Sequence, residues 1–347
     1  DGLARGHFNA RLFGPEVYEA FRKLKAAFDP RNLLNPGKVV EAPEMTRDLR
    51  YGAGYGTIQI QTHLDFSREG GFARAVEACN GAGICRKTQE GTMCPSYQAT
   101  REEEHSTRGR ANALRAALSG RLPPEELTSP RMYETLDLCL ECKGCKRECP
   151  SNVDLAKIKY EFLAQYNARH GVPARARLFA NIGRLNRWGS RVAPLANYMM
   201  RRSWVKRMAD AAMGIDARRE FPPLASEDFQ SWFGKRARNG AGRPKVVLLD
   251  DCFLSYNYPQ VGRAATELLE RAGYQVLLAK PECCGRPMIS KGLLEEARRA
   301  ARRNVEALAP LVEQGAAVVG CEPSCLLTFR DEYLDLLEGP EVARVAA

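Results

Sequence analysis

The stretch "DLCLECKGCKRECP", residues 137–150, sets four cysteines into eleven positions and closes on a proline. Its sulfurs need a common purpose, and disulfides, zinc and an iron–sulfur cluster are the candidates. A chain of 347 residues, 44% of them hydrophobic, buries cores large enough to do without disulfide staples. Residues 1–20 lack the apolar stretch of a secretory signal. No apolar run approaches the roughly 20 residues of a membrane span. A cytoplasmic setting is therefore expected. Zinc sites usually pair two Cys-x2-Cys knuckles across a longer spacer, and that layout is missing. Cys139, Cys142 and Cys145, each three positions after the last, can instead wrap a loop around three corners of one [4Fe–4S] cube. Cys149, after a wider gap and before Pro150, points away to a second cluster.

This is the bacterial ferredoxin spacing, and a two-cluster module needs a second run. It is found in "CNGAGICRKTQEGTMCPSY". Cys79 and Cys85 take the first and third places, Ala82 stands in the middle place, and Cys94-Pro95 forms the remote fourth. One 4Fe-4S cluster is thus assigned to Cys94, Cys139, Cys142 and Cys145. The other has Cys79, Cys85 and Cys149; its last corner is open, held by a non-Cys ligand, or lost as in a 3Fe-4S cluster. His105 is a candidate for that corner, although it reads more simply as a polar residue before a helix. Arg108 and Arg110 in "HSTRGRAN" either donate hydrogen bonds near cluster sulfurs, raising the potential, or are surface arginines.

The remaining cysteines are Cys252, Cys283, Cys284, Cys321 and Cys325. They fall in a segment of different character. "KVVLLDD", "YQVLLAK" and "AAVVG" read as buried strands, separated by the helical patterns "YPQVGRAATELLERAG" and "GLLEEARRAARRNVEALAPLVEQG". That order argues for a parallel α/β sheet, with the cysteines at the carboxyl ends of strands, where such folds bind ligands. Cys252, Cys283, Cys284 and Cys325 are candidates for an additional iron–sulfur or metal site; the bland alternative is small apolar filling.

Helical signals lie elsewhere too. "PEVYEAFRKLKAAFDP" repeats apolar residues at Val17, Phe21, Leu24 and Phe28. "STRGRANALRAALSG" has Ser106 or Thr107 as N-cap and Gly120 as C-cap. "DLAKIKYEFLAQYNARHG" reads as an amphipathic helix, and residues 220–245 as a Pro/Gly-rich linker. Formal net charge is +10, and residues 151–243 hold 18 Lys and Arg against 7 Asp and Glu. Such a segment suits a solvated helical face, an anionic lipid surface or nucleic acid. No nucleic-acid recognition motif accompanies it, so no nucleic-acid partner is expected. Residues 171–210 mix Arg with Trp188 and Trp204, which suits peripheral contact with the inner face of the cytoplasmic membrane, although Pro173 and Pro194 interrupt any long face.

Cys283-Cys284-Gly285 with a Cys upstream and Cys325 downstream resembles the cysteine-rich domain found in the B subunit of heterodisulfide reductase. That domain recurs in the glycolate oxidase iron–sulfur subunit and the C subunit of anaerobic glycerol-3-phosphate dehydrogenase. The downstream pair in that family is Cys-x2-Cys; here Glu322 fills its first place, with Cys321 one residue early. The N-terminal stretch with "LLNPGK" is similar to the last segment of FAD-linked oxidases of the vanillyl-alcohol oxidase type, Asp1-Gly2 resembling the end of their His-Gly-Asp-Gly stretch. The ordered combination resembles fused FAD/iron–sulfur D-2-hydroxyacid dehydrogenases of the D-lactate or D-2-hydroxyglutarate type.

The resemblance implies a multidomain chain, mainly α with an α/β part. Residues 1–45 would be the remnant of an FAD-linked oxidase domain, 46–75 a connector, 76–165 a two-cluster ferredoxin-type domain, 166–243 a basic helical segment and linker, and 244–347 a first CCG domain. It implies a segment cut at both ends, with the flavin domain upstream and a second CCG domain downstream. Asn35 and Lys38 would touch FAD, unless they only form a terminal turn. Hydride would pass from C2 of a D-2-hydroxyacid to FAD, and electrons would leave singly through two clusters toward the cysteine-rich domain and a quinone or other acceptor. No catalytic residue is named within this stretch. The alternatives are an iron–sulfur subunit of a glycolate oxidase or heterodisulfide reductase-like complex and a metal-containing nucleic-acid-binding module.

Overall fold

The computed structural model describes residues 2–47, 49, 51–52, 54–236, 242–279 and 283–347. Asp1, and Lys280 at the end of the second expected strand, lie outside the described residues, as do parts of the expected connector and linker. The chain divides into two compact units, Asp1–Thr57 and Ile58–Ala347.

In the first unit the apolar repeat forms the helix Asn9–Phe28, interrupted at Gly14 (φ 77°) before Pro15. Pro15 cannot donate to the preceding turn, so the helix restarts there. Asp29 ends it. The Asp29 carboxylate accepts from the Leu33 and Leu34 amides (2.9 and 2.8 Å) and pairs with Lys25. The Lys25 hydrogen bond, helped by those amides, lowers its pKa to about 2. The Tyr18 hydroxyl accepts from the Glu41 amide (2.9 Å), and Asn9 donates to the Val39 carbonyl (2.9 Å), folding "NPGKVV" back along the helix. Val17, Leu24 and Phe28 stay exposed, Phe28 at 81%, so this unit leaves most of its apolar stripe unburied.

The second unit is organised around the helix Leu155–His170. Asp154 caps it by accepting from the Lys157 amide (3.0 Å). The sequence suggested an amphipathic helix; instead residues 155–164 are buried on every side. Three charges go inside because each finds partners, as burial demands. Lys157 pairs with Glu69 (3.0 Å) and Asp335 (2.9 Å). Lys159 donates to the carbonyls of Asp137 (3.0 Å) and Cys139 (2.8 Å). Glu161 accepts from the amides of His63 (2.9 Å) and Leu64 (3.0 Å).

The strand patterns form a parallel sheet. β1 (Lys245–Leu249) lies between β2 (Gln275–Ala279) and β3 (Ala317–Val319), in the order β2-β1-β3. Val247 pairs in register with Leu277 on one side and Val318 on the other. Residues 246–249 are all buried, as expected of a sheet covered on both faces. Val247 and Leu249 face the large core shared with the helical region, and Val246 and Leu248 pack with Phe229, Leu254 and Val276.

Phe229 corrects the linker reading. Within that Pro/Gly-rich stretch, Asp228 accepts from the Ser231 amide (2.7 Å) and starts the helix Phe229–Lys235. The Phe229 ring is fully buried under the sheet. Between the two regions run the short helices Ala174–Ala180, Ile182–Ser190, Ala193–Met200 and Ser203–Met213.

Candidate metal centre

The cysteine run is shaped by its backbone. Glu141 and Lys143 adopt left-handed conformations (φ 56° and 58°) on either side of Cys142, which curls the loop. A Cβ on Gly144 would sit in ordinary contact 3.5 Å from Cys142 Sγ and 3.4 Å from Thr92 Cγ2, so the segment bearing Thr92 lies directly against the cysteine loop. Glu148 fastens that segment by accepting from the Thr92 (2.7 Å) and Met93 (3.2 Å) amides. Cys94, Cys139, Cys142 and Cys145 consequently line one small cavity, with Met93, Thr107 and Leu155 around them. These are the four residues assigned above to a single cluster.

A zinc ion with Zn–S bonds of about 2.3 Å needs its sulfurs about 3.8 Å apart. Among the described residues no three His, Cys, Asp or Glu side chains converge to hold a single ion. Thiols set around a cavity suit a polynuclear cluster better. Burial pushes the Cys145 thiol up to about 12 and raises Cys139 as well. Burial also opposes ionisation of Cys94, but the Ser96 hydroxyl and the Arg110 charge outweigh it and lower that thiol. Metal binding there would displace protons, as thiolate ligation requires.

Cys79 and Cys85 are both buried. The helix Thr107–Leu118 starts at Ser106, whose hydroxyl accepts from the Gly109 amide (2.9 Å), and its Arg108 amide donates to Cys85 Sγ (3.4 Å). Burial raises the Cys85 thiol, and that amide works against the rise. The His105 ring faces Thr100 Oγ1 (3.0 Å) and Glu104 (3.8 Å), while its carbonyl accepts from Ser96 Oγ (2.7 Å). Cys149 follows the helix Gly144–Glu148, half-buried, with its amide on the Cys145 carbonyl (2.9 Å). Neither arginine lies free on the surface. Arg108 grips Glu103 (2.8 and 3.1 Å) and the Gly81 carbonyl (3.2 Å), and Arg110 is fully buried.

The third group is brought together only in part. Cys284 and Cys325 face each other with sulfurs 3.1 Å apart. Cys252 neighbours Cys283; interaction with Cys252, Cys284 and the Gly285 amide holds the Cys283 thiol low, and Cys252 rises in turn. Gly183 lies over this pair: a Cβ there would be 3.4 Å from Cys283 Cβ and 3.7 Å from Cys252 Cβ. Cys321 is exposed, and Glu322 caps the helix Pro323–Arg330 by accepting from the Ser324 amide (3.2 Å).

Arg286, two residues after Cys284, was not singled out by the sequence. It reaches the Tyr160 hydroxyl, Glu332 (3.1 Å) and the Glu141 carbonyl of the cluster loop (3.3 Å). Lys143 and Lys146 add ion pairs to Asp331 and Glu332. The cysteine run and the α/β region are thereby bolted together. In the first unit, Asn35 is exposed with φ 49°, and Lys38 is half-buried.

Three segments of the chain match known families. Residues 1–39 match the C-terminal domain of FAD linked oxidases, 75–153 a 4Fe-4S dicluster domain, and 246–330 a cysteine-rich domain. Over 95% of its length the chain is 29% identical to D-2-hydroxyglutarate dehydrogenase of Pseudomonas putida, of which it spans 37%. It is 34% identical to the C subunit of the anaerobic glycerol-3-phosphate dehydrogenase of Escherichia coli over 42% of the chain and 37% of that protein. It is 27% identical to the glycolate oxidase iron-sulfur subunit of the same organism over 77% of the chain and 62% of that protein. No solved structure matches. Segments that match the C-terminal domain of FAD linked oxidases, a 4Fe-4S dicluster domain and a cysteine-rich domain thus follow one another in one polypeptide, in the order that the motifs indicated.

Proposed function

We propose that this chain is the electron-transfer portion of an FAD/iron–sulfur oxidoreductase acting on a D-2-hydroxyacid of the D-lactate or D-2-hydroxyglutarate type. The observation that carries this reading is the shared cavity of Cys94, Cys139, Cys142 and Cys145. Bound by these residues, and by Cys79, Cys85 and Cys149, two clusters supply one-electron steps between a two-electron flavin and its acceptor. The chain's own work is to hold the sulfurs, exclude water and fix the spacing. Burial of Cys79, Cys85, Cys94 and Cys145 serves the second task, and the Arg286, Lys143 and Lys159 contacts serve the third. The quartet Cys252, Cys283, Cys284 and Cys325 is the candidate for the following redox or metal site, ahead of a second CCG domain and a quinone or other acceptor.

The exposed Val17, Leu24 and Phe28 support a flavin domain packed on the N-terminal helix, with Asn35 and Lys38 toward FAD. The division at 45, 75, 165 and 243 remains our reading of the domain limits. Anaerobic purification followed by iron and sulfide analysis tests the whole. About eight irons per chain are expected, since two cubes carry four each. A zinc-loaded, colourless protein would defeat the reading.

Peripheral membrane contact is part of the proposal. Among the described residues no helix is long and apolar enough to cross a membrane. Trp188, Leu195, Tyr198, Trp204 and Met208 are each more than half exposed. Arg191 stacks over Trp188 (4.5 Å) and Arg202 over Tyr198 (3.9 Å). Anionic vesicles should sediment the protein, zwitterionic ones should not, and 0.5 M salt should release most of it, since each basic residue near such a surface contributes about 1 kcal/mol. Equal binding to both vesicle types would remove this part of the proposal.

A further inference from the structure

Arg110 is 0% exposed. Its Nε donates to the Thr135 carbonyl (2.9 Å), and its Nη1 faces Cys94 Sγ (3.7 Å). Its Nη2 is buried with no hydrogen-bond partner. Among the described residues no carboxylate is paired with it. An uncompensated buried guanidinium is strongly unfavourable, so this fold should supply an anion for it. The adjacent group able to carry negative charge is the Cys94 sulfur, on the rim of the four-cysteine cavity.

Three neighbouring cations close to the cysteines do have partners. Arg108, two residues earlier, has its charge met by Glu103 (2.8 and 3.1 Å). Lys159 meets Glu141 (3.4 Å) and two carbonyls, and Lys143 meets Asp331 and Glu332. What Arg108 offers the Cys85 sulfur is only its backbone N–H (3.4 Å). The two arginines thus differ, with a bare positive charge beside Cys94 and a neutralised one beside Cys85.

We propose that Arg110 is the counter-cation of the cluster held by Cys94, Cys139, Cys142 and Cys145, and sets its reduction potential above that of the cluster held by Cys79 and Cys85. The inference rests on the reading that both cysteine sets bind clusters. A cube with four thiolates is anionic, and reduction adds a further negative charge. A buried cation stabilises the more negative form, and a low local dielectric strengthens the effect. N–H donors aimed at ligand sulfur act in the same direction. The Thr135 anchor keeps the guanidinium in place, since the helix Pro130–Asp137 leads directly into Cys139.

EPR-monitored redox titration of the anaerobically purified, iron-loaded protein tests this. The wild type should show two separate midpoints, and Cys142→Ala, which removes a ligand of the Arg110-side cluster, should delete the higher one. Arg110→Gln should lower the higher midpoint by at least tenfold in the one-electron equilibrium, about 59 mV, and leave the lower one in place. Arg108→Gln should leave the higher one in place. An iron-replete Arg110→Gln protein with an unmoved higher midpoint, or with both midpoints displaced equally, overturns the inference; a wild type that binds no iron overturns instead the reading beneath it. Should Arg110→Gln fail to retain iron, wild-type protein carrying 15N-arginine decides: guanidinium nitrogen coupling to the higher-potential signal is expected in pulsed EPR, and its absence overturns the proposal.

Discussion

Replacing Cys142 with alanine should halve the iron content, from about eight atoms per chain to about four, and remove one of two reduced-state EPR signals. Cys142 is the suitable position because it is the exposed member of its set. Truncating it removes little packing, whereas truncating buried Cys145 would open a cavity and confuse ligand loss with destabilisation. The thermal stability of the metal-free protein should therefore barely change while cluster occupancy falls. An unchanged spectrum would show that Cys142 is not a ligand. Loss of all iron would show that the two cysteine sets cannot fill independently.

Gly292→Ala should destabilise the second unit by roughly 2–5 kcal/mol, combining about 1–2 for a left-handed non-glycine residue with 1–3 for overpacking. Gly292 has φ +68°, and an added Cβ would lie 2.5 Å from the Leu163 carbonyl carbon and 2.7 Å from the Ala164 amide nitrogen. Both belong to the central helix, whose backbone cannot step aside without moving Tyr160 and Lys159. The neighbouring tie from Asn167 to the Lys291 carbonyl (2.8 Å) would be strained as well. Gly315→Ala is the control. It has φ +81° with nothing within 4 Å of the added Cβ, so it bears only the backbone cost. Urea denaturation of both variants separates the two contributions; equal losses would mean that the helix and the α/β region do not meet at Gly292.

Some of this architecture could be read from the residues directly. The strands announced themselves because β1 is a continuous apolar run, which a doubly covered sheet requires. The cysteine run was legible because its spacing leaves few geometries. Ser106 was a readable cap because its side chain acts within its own turn. The misreadings share a cause, namely partners remote in sequence. Lys157, Lys159 and Glu161 looked like a polar face because nothing local reveals that Asp335, the cluster loop and residues 63–64 satisfy them. Phe229 sat in a stretch dominated by Pro and Gly, and its burial depends on a sheet that begins at Lys245. Arg286 carried one hint, its place directly after Cys-Cys-Gly, but its reach to Glu141 spans 145 residues. Cys325 was singled out over Cys321 by the spacing of the family it resembles, and the helix starting at Pro323 carries Cys325 inward while Cys321 stays exposed.

The helix Leu155–His170 has a consequence for how such a chain can work. It is at once the floor of the cysteine module and the wall of the α/β region, so neither can swing away without tearing the other's interior. Any gap that charge must cross between them is therefore set once, at folding, and not renegotiated at each turnover. Speed at this junction would be tuned by composition, residue by residue, with no hinge to adjust.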